Sequence, residues 1–580
     1  MAQGARPRLP GLVNAGLVGI VVSVVAAVAL TARQNPPPTV AEFAPQAVEQ
    51  IEEALPEQAD APGESTATAG GDPDDAAGED DAAGPDGEPE AEETPEAEPT
   101  APETDEPLPE RARVRRCVGN PPRQTEDPQS PPCVPFFDGD NGGATAQGVT
   151  QDEIRIAYPN LQFFGPEPIE LVQAMVDHFN ARYEFYGRKI VLVEYSTAAF
   201  GSPDPPAMTA DAILVDEQLQ AFGSLGYGAR DGAEHHYYDE LARRGIVSTF
   251  SNTLSLGTEE RFQRFDPHQW SWSATVDDGF ALAGDFVCST LAGKPPVGGT
   301  FQSGGGALDP SESVRPETRT FGLVTSRSAD GTIPPVESLV DRMEACGHAP
   351  LVVVEDDVAN PQADNIILQM QNAGVTTVLC ACSLAPFRGA YMPAASRQGY
   401  FPEWVAPGFG ASDLDNSFSP TAAPPEQARN VLGIALRNRW LERQQMPWYW
   451  AIRETRPDQD PSGGIYYTLN GRYEHLLLMA SGIQLAGPEL TPETFARGLQ
   501  QAKFPNPGAG GSPFYQAAVD FGSRHAARAS ASLFWYSPDA PGTFQPDQLG
   551  AVCYLDGGTR YGFGQFPTEQ QAWFQEPCIR

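Results

Sequence analysis

The chain is short of positive charge. Of its 580 residues 37 are Lys or Arg and 77 are Asp or Glu, a formal net charge of -40 at pH 7. Only Lys189, Lys294 and Lys503 are lysines, and between Pro36 and Glu110 about two dozen acids meet no Lys or Arg. A polyanion repels phosphate backbones, which argues against a nucleic-acid partner. The usual marks of catalysis are missing too. There is no G-x-S-x-G nucleophile turn, no P-loop and no H-E-x-x-H pair. His235 and His236 are adjacent, whereas two zinc ligands on one helical face stand four apart. Gly304-Gly-Gly306 has no strand before it and no helix after it, and Glu355-Asp356-Asp357 reads as a solvated turn after a strand. No enzyme activity, cofactor or metal is indicated.

What is present begins with an apolar run. Gly11 to Ala32 follows Arg6 and Arg8 and precedes Arg33. It is just long enough to cross a bilayer, which takes about 20 residues. The preceding arginines favour a cytoplasmic amino terminus, with everything after residue 33 outside. Two readings stay open for residues 1–35: an uncleaved anchor, or a signal peptide cut near Ala27-Val28-Ala29. No Cys follows the run until Cys117, which excludes a lipoprotein anchor. Residues 36–116 are Pro, Ala, Glu, Asp and Gly with almost nothing to bury, so a disordered, charge-stretched linker is expected. The bulk of the chain is expected on the extracellular side of a single-pass cell-membrane protein, or secreted if the signal is cut.

Eight Cys in an exported chain suggest up to four disulfides. Cys117 and Cys133 bracket a Pro-rich lead-in at 117–147, Cys553 and Cys578 suit a carboxyl-terminal tie, and Cys288 and Cys346 lie on expected helices. Cys380-Ala-Cys382 ends an apolar strand and is read as a structural thiol or disulfide.

After Gly148 strands and helices alternate. Strands are expected at 153–158, 189–193, 221–225 and 246–250, with helices at 169–186, 211–220 and 233–244 between them. The alternation restarts with a helix at 280–291, then strands at 320–324, 351–354 and 375–379 around helices at 336–345 and 364–372. Residues 298–315 read as loop, 472–485 as an apolar helix, and Thr491-Pro-Glu-Thr494 opens another. Such alternation implies parallel pairing with right-handed crossovers, and two similar runs imply two α/β lobes.

Several stretches resemble a known family. Gly148-Val-Thr-Gln-Asp-Glu-Ile-Arg-Ile156 resembles the opening strand of type I periplasmic binding proteins, the branched-chain amino-acid-binding (leucine-binding-like) kind. Phe222-Gly-Ser-Leu-Gly226 and Gly245-Ile-Val-Ser-Thr-Phe-Ser251 are similar to its third and fourth strands, and Trp270-Ser-Trp-Ser-Ala-Thr-Val-Asp-Asp278 stands at its first inter-lobe crossing. Val375-Thr-Thr-Val-Leu379, Gln398-Gly-Tyr-Phe-Pro-Glu-Trp404 and Ala486-Gly-Pro-Glu-Leu-Thr-Pro-Glu-Thr494 are similar to segments of actinobacterial members. The likeness covers residues 148–580. It implies two Rossmann-like lobes joined by a three-strand hinge, lobe 1 at about 148–275 and 414–535 and lobe 2 at about 276–413 and 536–580. It also implies a function: capturing a small polar or amino-acid-like solute by hinge closure and delivering it to an ABC transporter permease.

Ligand is then expected at the carboxyl ends of the strands. In lobe 1 these offer Asn160, Gln162, Phe163 and Phe164, then Tyr227, Gly228 and Ala229, then Ser251, Asn252 and Thr253. In lobe 2 they offer Ser326, Arg327, Ser383, Phe409 and Asp413. Tyr227 or Ala229 stands near the family's carboxylate-binding serine, a departure from the amino-acid-binding pattern. Two other function classes remain beside uptake: a ligand-sensing receptor ectodomain, and a cell-envelope interaction protein without transport.

Overall fold

A short hairpin, β1 (Cys117–Val118) with β2 (Arg123–Gln124), precedes two larger sheets. The first sheet holds β3 (Glu153–Asn160), β4 (Lys189–Ser196), β5 (Gly223–Leu225), β6 (Val247–Phe250) and β7 (Gln269–Ser271), all parallel, in the order β4-β3-β5-β6-β7. Parallel neighbours need crossover helices, supplied here by α1 (Ile169–Arg182), α2 (Pro205–Glu217), α3 (His235–Arg243) and α4 (Glu259–Arg264). Local chemistry sets their ends. Asp204 caps α2 by accepting from the Ala207 amide, ahead of Pro205 and Pro206, and Thr258 caps α4 by accepting from the Arg261 amide. β3 alternates Ile154, Ile156 and Tyr158 to one core and Ala157 to another, so the sheet is covered on both faces. The structure, a computed structural model, describes residues 116–580 except 121, 161–168, 198–203, 228–233, 251–256, 301–314, 328–330, 332, 358–359, 410–411, 462–465, 503, 505–518, 528, 544–545 and 579–580.

The second sheet repeats the plan. β8 (Phe321–Arg327), β9 (Val352–Asp357), β10 (Thr377–Ala381), β11 (Glu403–Ala406) and β12 (Val431–Ala435) are parallel in the order β9-β8-β10-β11-β12. β13 (Ala531–Pro541) and β14 (Leu549–Tyr554) add antiparallel strands beyond β12, and β15 (Arg560–Tyr561) pairs with β13. α5 (Val276–Phe286), α6 (Glu337–Ala345), α7 (Ala363–Asn372) and α8 (Met392–Arg397) belong to this lobe. The chain then returns to the first lobe as α9 (Pro447–Thr455), α10 (Tyr466–Ala486) and α11 (Pro492–Gln501), whose apolar residues join the first lobe's core. Each lobe therefore has the strand order 2-1-3-4-5, and the expected two-lobed α/β fold is present.

Three crossings link the lobes, at residues 272–275, 436–440 and 527–530. The sequence-based lobe boundaries shift accordingly. β12 hydrogen-bonds to β11 through Trp404 to Ala406, so residues 415–435 extend the second lobe instead of the first. β13 pairs with β12, so the last crossing falls before residue 531. β12 is a five-residue apolar run with no long helix beside it in sequence, and periodicity alone does not separate it from a loop.

The base of the second sheet is held by a fully buried ion pair. Arg319 donates to Glu403 at 2.6 and 3.1 Å, and Glu403 also accepts from the amides of Val297 and Gly298 and from the Thr377 hydroxyl. Disulfides join Cys117 to Cys133, Cys288 to Cys346 and Cys553 to Cys578, and Cys380 is paired with Cys382. The apolar run 11–32 and the acidic stretch lie outside the described residues, with the anchor expected there. Among the described residues no helix is long and apolar enough to cross a membrane.

Candidate functional site

In an open parallel sheet of order 2-1-3-4-5, the loops after strands 1 and 3 leave toward opposite faces, and a crevice opens at their carboxyl ends. Here those points fall between β3 and β5 in the first lobe and between β8 and β10 in the second. The first crossing leaves the carboxyl end of β7 and the second leaves the carboxyl end of β12. Both switch points therefore lie on the hinge side of their sheets.

In the first lobe this point is covered by Arg472, near the start of α10. Its guanidinium donates to the Gly226 carbonyl and, at 3.0 Å, to the Pro159 carbonyl, and it stands 4.9 Å from the Tyr158 ring centroid. The carbonyls at two strand ends thus receive a charged donor inside the protein. A Cβ on Gly226 would run into the His475 ring, so this close approach requires glycine. Burial, with Arg472 and Arg437 nearby, pulls His475 down to about 3 and keeps it neutral.

Tyr227 follows directly, and its hydroxyl points inward. It donates to Asp211 at 2.9 Å and meets the Thr197 hydroxyl at 2.6 Å, while its ring stacks on Tyr237 at 4.3 Å. Tyr238 receives a hydrogen bond from the Tyr227 amide and donates to the Tyr227 carbonyl, and Tyr237 is hydrogen-bonded to Tyr195 and Ser224. These hydroxyls satisfy one another in the first lobe's interior. Tyr227 is thus a structural member of this network, its hydroxyl committed to Asp211 and Thr197.

At the second lobe's switch point the Ser326 hydroxyl accepts from the Ser383 amide at 3.2 Å, bringing the ends of β8 and β10 together. Ser326 is buried, whereas Ser383 is only partly covered. Arg327 pairs with Glu355, and Asp356 turns inward to accept from Tyr391 and the Gln362 amide. Phe409 packs on Phe280 in the core, with ring centroids 5.0 Å apart. Asp413 is buried, accepts from the Arg437 amide at 3.3 Å and lies 3.5 Å from the Arg437 guanidinium; burial raises its carboxyl above the ordinary range.

The crossings carry the densest polar chemistry. Arg560, on β15, donates to the Leu436 and Arg437 carbonyls at 2.8 and 2.7 Å and to the Ser530 carbonyl and hydroxyl, tying the second crossing to the third. Burial pulls it down to about 10, still charged at neutral pH. The Ser271 amide donates to the His525 carbonyl and the Ala527 amide to the Ser271 carbonyl, so the end of β7 runs beside the segment that enters the third crossing. Beside the second crossing lies a recess of about 350 Å³, part of it open solvent, lined by Asp127, Gln129, Asn438, Asn470, Tyr473 and Glu474 among others. Asp127 accepts from the Gln129 amide and the Tyr473 hydroxyl, and burial pushes it up to about 6. Glu474, accepting from Asn438 at 3.5 Å, is pushed up to about 7 by burial.

Of the residues expected to touch ligand, Tyr227, Ser326, Ser383 and Asp413 stand at the ends of strands 3, 1, 3 and 4 of their lobes, and only Ser326 and Ser383 meet. Phe163, Phe164, Gly228, Ala229, Ser251 and Thr253 lie outside the described residues. Sequence reasoning missed Arg472, Glu474, Asp127, Gln129 and Arg560. The available signal was a charged, amide-bearing start, Asn470 to His475, on an otherwise apolar helix.

No family model matches this chain, and no curated protein matches it. Several solved structures are similar to it. One is a solute-binding protein of an ABC transporter from R. palustris in complex with 4-hydroxybenzoate, at 10% identity and TM-score 0.48, covering 72% of this chain and 98% of that one. Another is a putative branched-chain amino acid ABC transporter protein from Silicibacter pomeroyi, at 14% identity and TM-score 0.48, covering 72% and 100%. A third is an ABC transporter substrate-binding protein from Desulfitobacterium hafniense in complex with Leu, at 14% identity and TM-score 0.45, covering 70% and 99%.

Proposed function

We propose that this protein is an extracytoplasmic solute-binding protein that takes a small polar or amino-acid-like molecule between its lobes, without altering it, and hands it to the permease of an ABC transporter. One observation carries this reading: two sheets of identical strand order, each with its switch point on the hinge side, joined by three crossings. A solute that touches both lobes binds the closed arrangement better than the open one and shifts the balance toward closure. Ser383 and Ser326 from the second lobe supply polar groups. Phe163, Phe164, Gly228, Ala229, Ser251 and Thr253 supply the first lobe's side, with Tyr227 supporting that side from the tyrosine network and Asp413 acting through Arg437. In this reading the run 11–32 holds the protein to the membrane, or is cut to release it, and the acidic stretch lifts the lobes off the surface.

Native mass spectrometry of the gently purified full chain, looking for a bound small molecule, is the direct test. A ligand specific to the folded state also raises the melting temperature, and at a hundredfold excess over Kd it adds about 2.7 kcal/mol. Once a solute is found, Ser383→Ala is expected to weaken it about fivefold to tenfold, the worth of one hydrogen bond, with the ligand-free melting temperature unchanged. No bound mass, and no shift across amino acids, aromatic acids, sugars and polyamines, would overturn the proposal.

A further inference from the structure

The lead-in, expected only as a disulfide-bracketed entrance to the domain, is built into the hinge. β1 and β2 and the Cys117–Cys133 disulfide close the base of a loop. At that base Gln484, near the end of α10, donates to the Gln124 side chain and to the Pro132 carbonyl, both at 3.0 Å. At its tip Asp127 meets Tyr473, near the start of the same helix, at 3.1 Å. From Tyr473 to Gln484 an α-helix rises about 16 Å at 1.5 Å per residue, so the loop lies along about three turns of α10. Gln124, Glu126, Asp127, Gln129 and Ser130 are all buried there, an uncommon fate for five consecutive-range polar side chains.

The tip ends on the crossings. Gln129 Oε1 accepts from the Trp272 indole N–H at 3.1 Å, in the first crossing, and from the Asn438 side-chain Nδ2 at 2.9 Å, in the second. One oxygen, fixed to the first lobe, therefore holds two of the strands about which the second lobe must turn. Its surroundings are the Gln129 amide's own acceptor Asp127, the Asn438 partner Glu474 on α10, and Arg437 beside it in the second crossing.

We propose that residues 117–133 form a strap that restrains the hinge: Gln129, held in place by the Cys117–Cys133 loop and Tyr473, fixes the first and second crossings against the first lobe. Releasing it loosens both crossings together while leaving the sheets intact. Each crossing loses one hydrogen bond to Gln129, worth about a fivefold to tenfold change in its local opening.

The test uses the full chain without ligand, so it is independent of whether any solute binds. Hydrogen exchange is followed at the Ser273 and Arg437 amides, with β3 and β8 as controls. Gln129→Ala is expected to speed exchange about fivefold to tenfold in both crossings and not in the controls. Trp272→Phe, which removes the N–H together with part of the buried indole, is expected to loosen the first crossing alone. In the Gln129→Ala background it is expected to add less than it does alone, because the shared hydrogen bond is already gone and only the packing loss remains. Unchanged exchange in both crossings, or additive effects of the two substitutions, overturns the strap. Acceleration spread equally into β3 and β8 overturns it as well, because the loop would then be holding the whole fold and not the hinge.

Discussion

Glu474 offers a prediction whose sign and size both follow from its position. Its carboxyl is pushed from the ordinary 4.5 up to about 7, first by burial, with the Asp127 charge adding to the rise and Arg437, Asn470 and Asn438 opposing it. Between those two values the folded protein keeps a proton that the unfolded chain has released. Stability therefore falls as pH rises from about 4.5 to about 7, and the loss is complete above that window. The full span corresponds to about 3 kcal/mol. The side chain keeps some contact with solvent, which brings the expected effect to about 2 kcal/mol. Glu474→Gln preserves an oxygen facing Asn470 and Asn438 and removes the ionisation. Urea unfolding read by tryptophan fluorescence, with Trp270, Trp272 and Trp448 reporting on the first lobe, is measured from pH 4 to pH 8. The variant should gain about 2 kcal/mol at pH 8, gain nothing at pH 4, and open the difference between pH 5 and pH 7. Asp127, pushed to about 6, titrates in both proteins and largely cancels. Parallel pH profiles, or a variant no more stable at pH 8, would refute the claim that this carboxyl is held in an environment hostile to its charge.

Other substitutions probe the remaining structure. Arg560→Met leaves the Leu436, Arg437 and Ser530 carbonyls without their buried donor, and a loss of about 3 to 5 kcal/mol is expected in denaturant unfolding, with faster exchange at the second and third crossings. Glu403→Ala strands Arg319 in the base of the second lobe at a similar expected cost of about 3 to 5 kcal/mol, and proteolysis should then cut the second lobe before the first. Tyr227→Phe removes the hydroxyl shared by Asp211 and Thr197 and should lower stability by about 1 to 2 kcal/mol. Under the solute-binding proposal its effect on affinity should be small, and a loss of affinity greater than tenfold in calorimetry would show that the hydroxyl faces the solute after all.

The strands and helices of the two α/β runs were legible because their local patterns are strong. Leu171, Val172, Met175, Val176 and Phe179 recur at helical spacing, and β8, at 321–327, is a continuous run that the structure buries almost throughout. β11, β12 and β13 were not legible in the same way. β12 has five residues, and β13 joins antiparallel to a strand about a hundred residues upstream, so pairing energy and not local pattern decides its partner. The same holds for the site. Ser326 and Ser383 could be named because each directly follows a readable strand, but their meeting depends on β8 and β10 being neighbours. Tyr227 was readable as an aromatic at a strand end, yet the direction of its hydroxyl is fixed by Asp211 on α2 and Thr197 after β4.

By itself the sequence determined what depends on neighbours along the chain: the acidic, cation-free stretch, the apolar run before it, the alternation of elements, and eight cysteines, enough for four disulfides whose pairing it left open. The tertiary structure alone decided what depends on distant segments sharing one small volume. Gln129 reaches Trp272 and Asn438 across 143 and 309 positions, Arg472 reaches Gly226 across 246, and Arg560 reaches Arg437 across 123. A buried polar atom must find a partner wherever the fold offers one, and periodicity along a chain carries no information about where that will be.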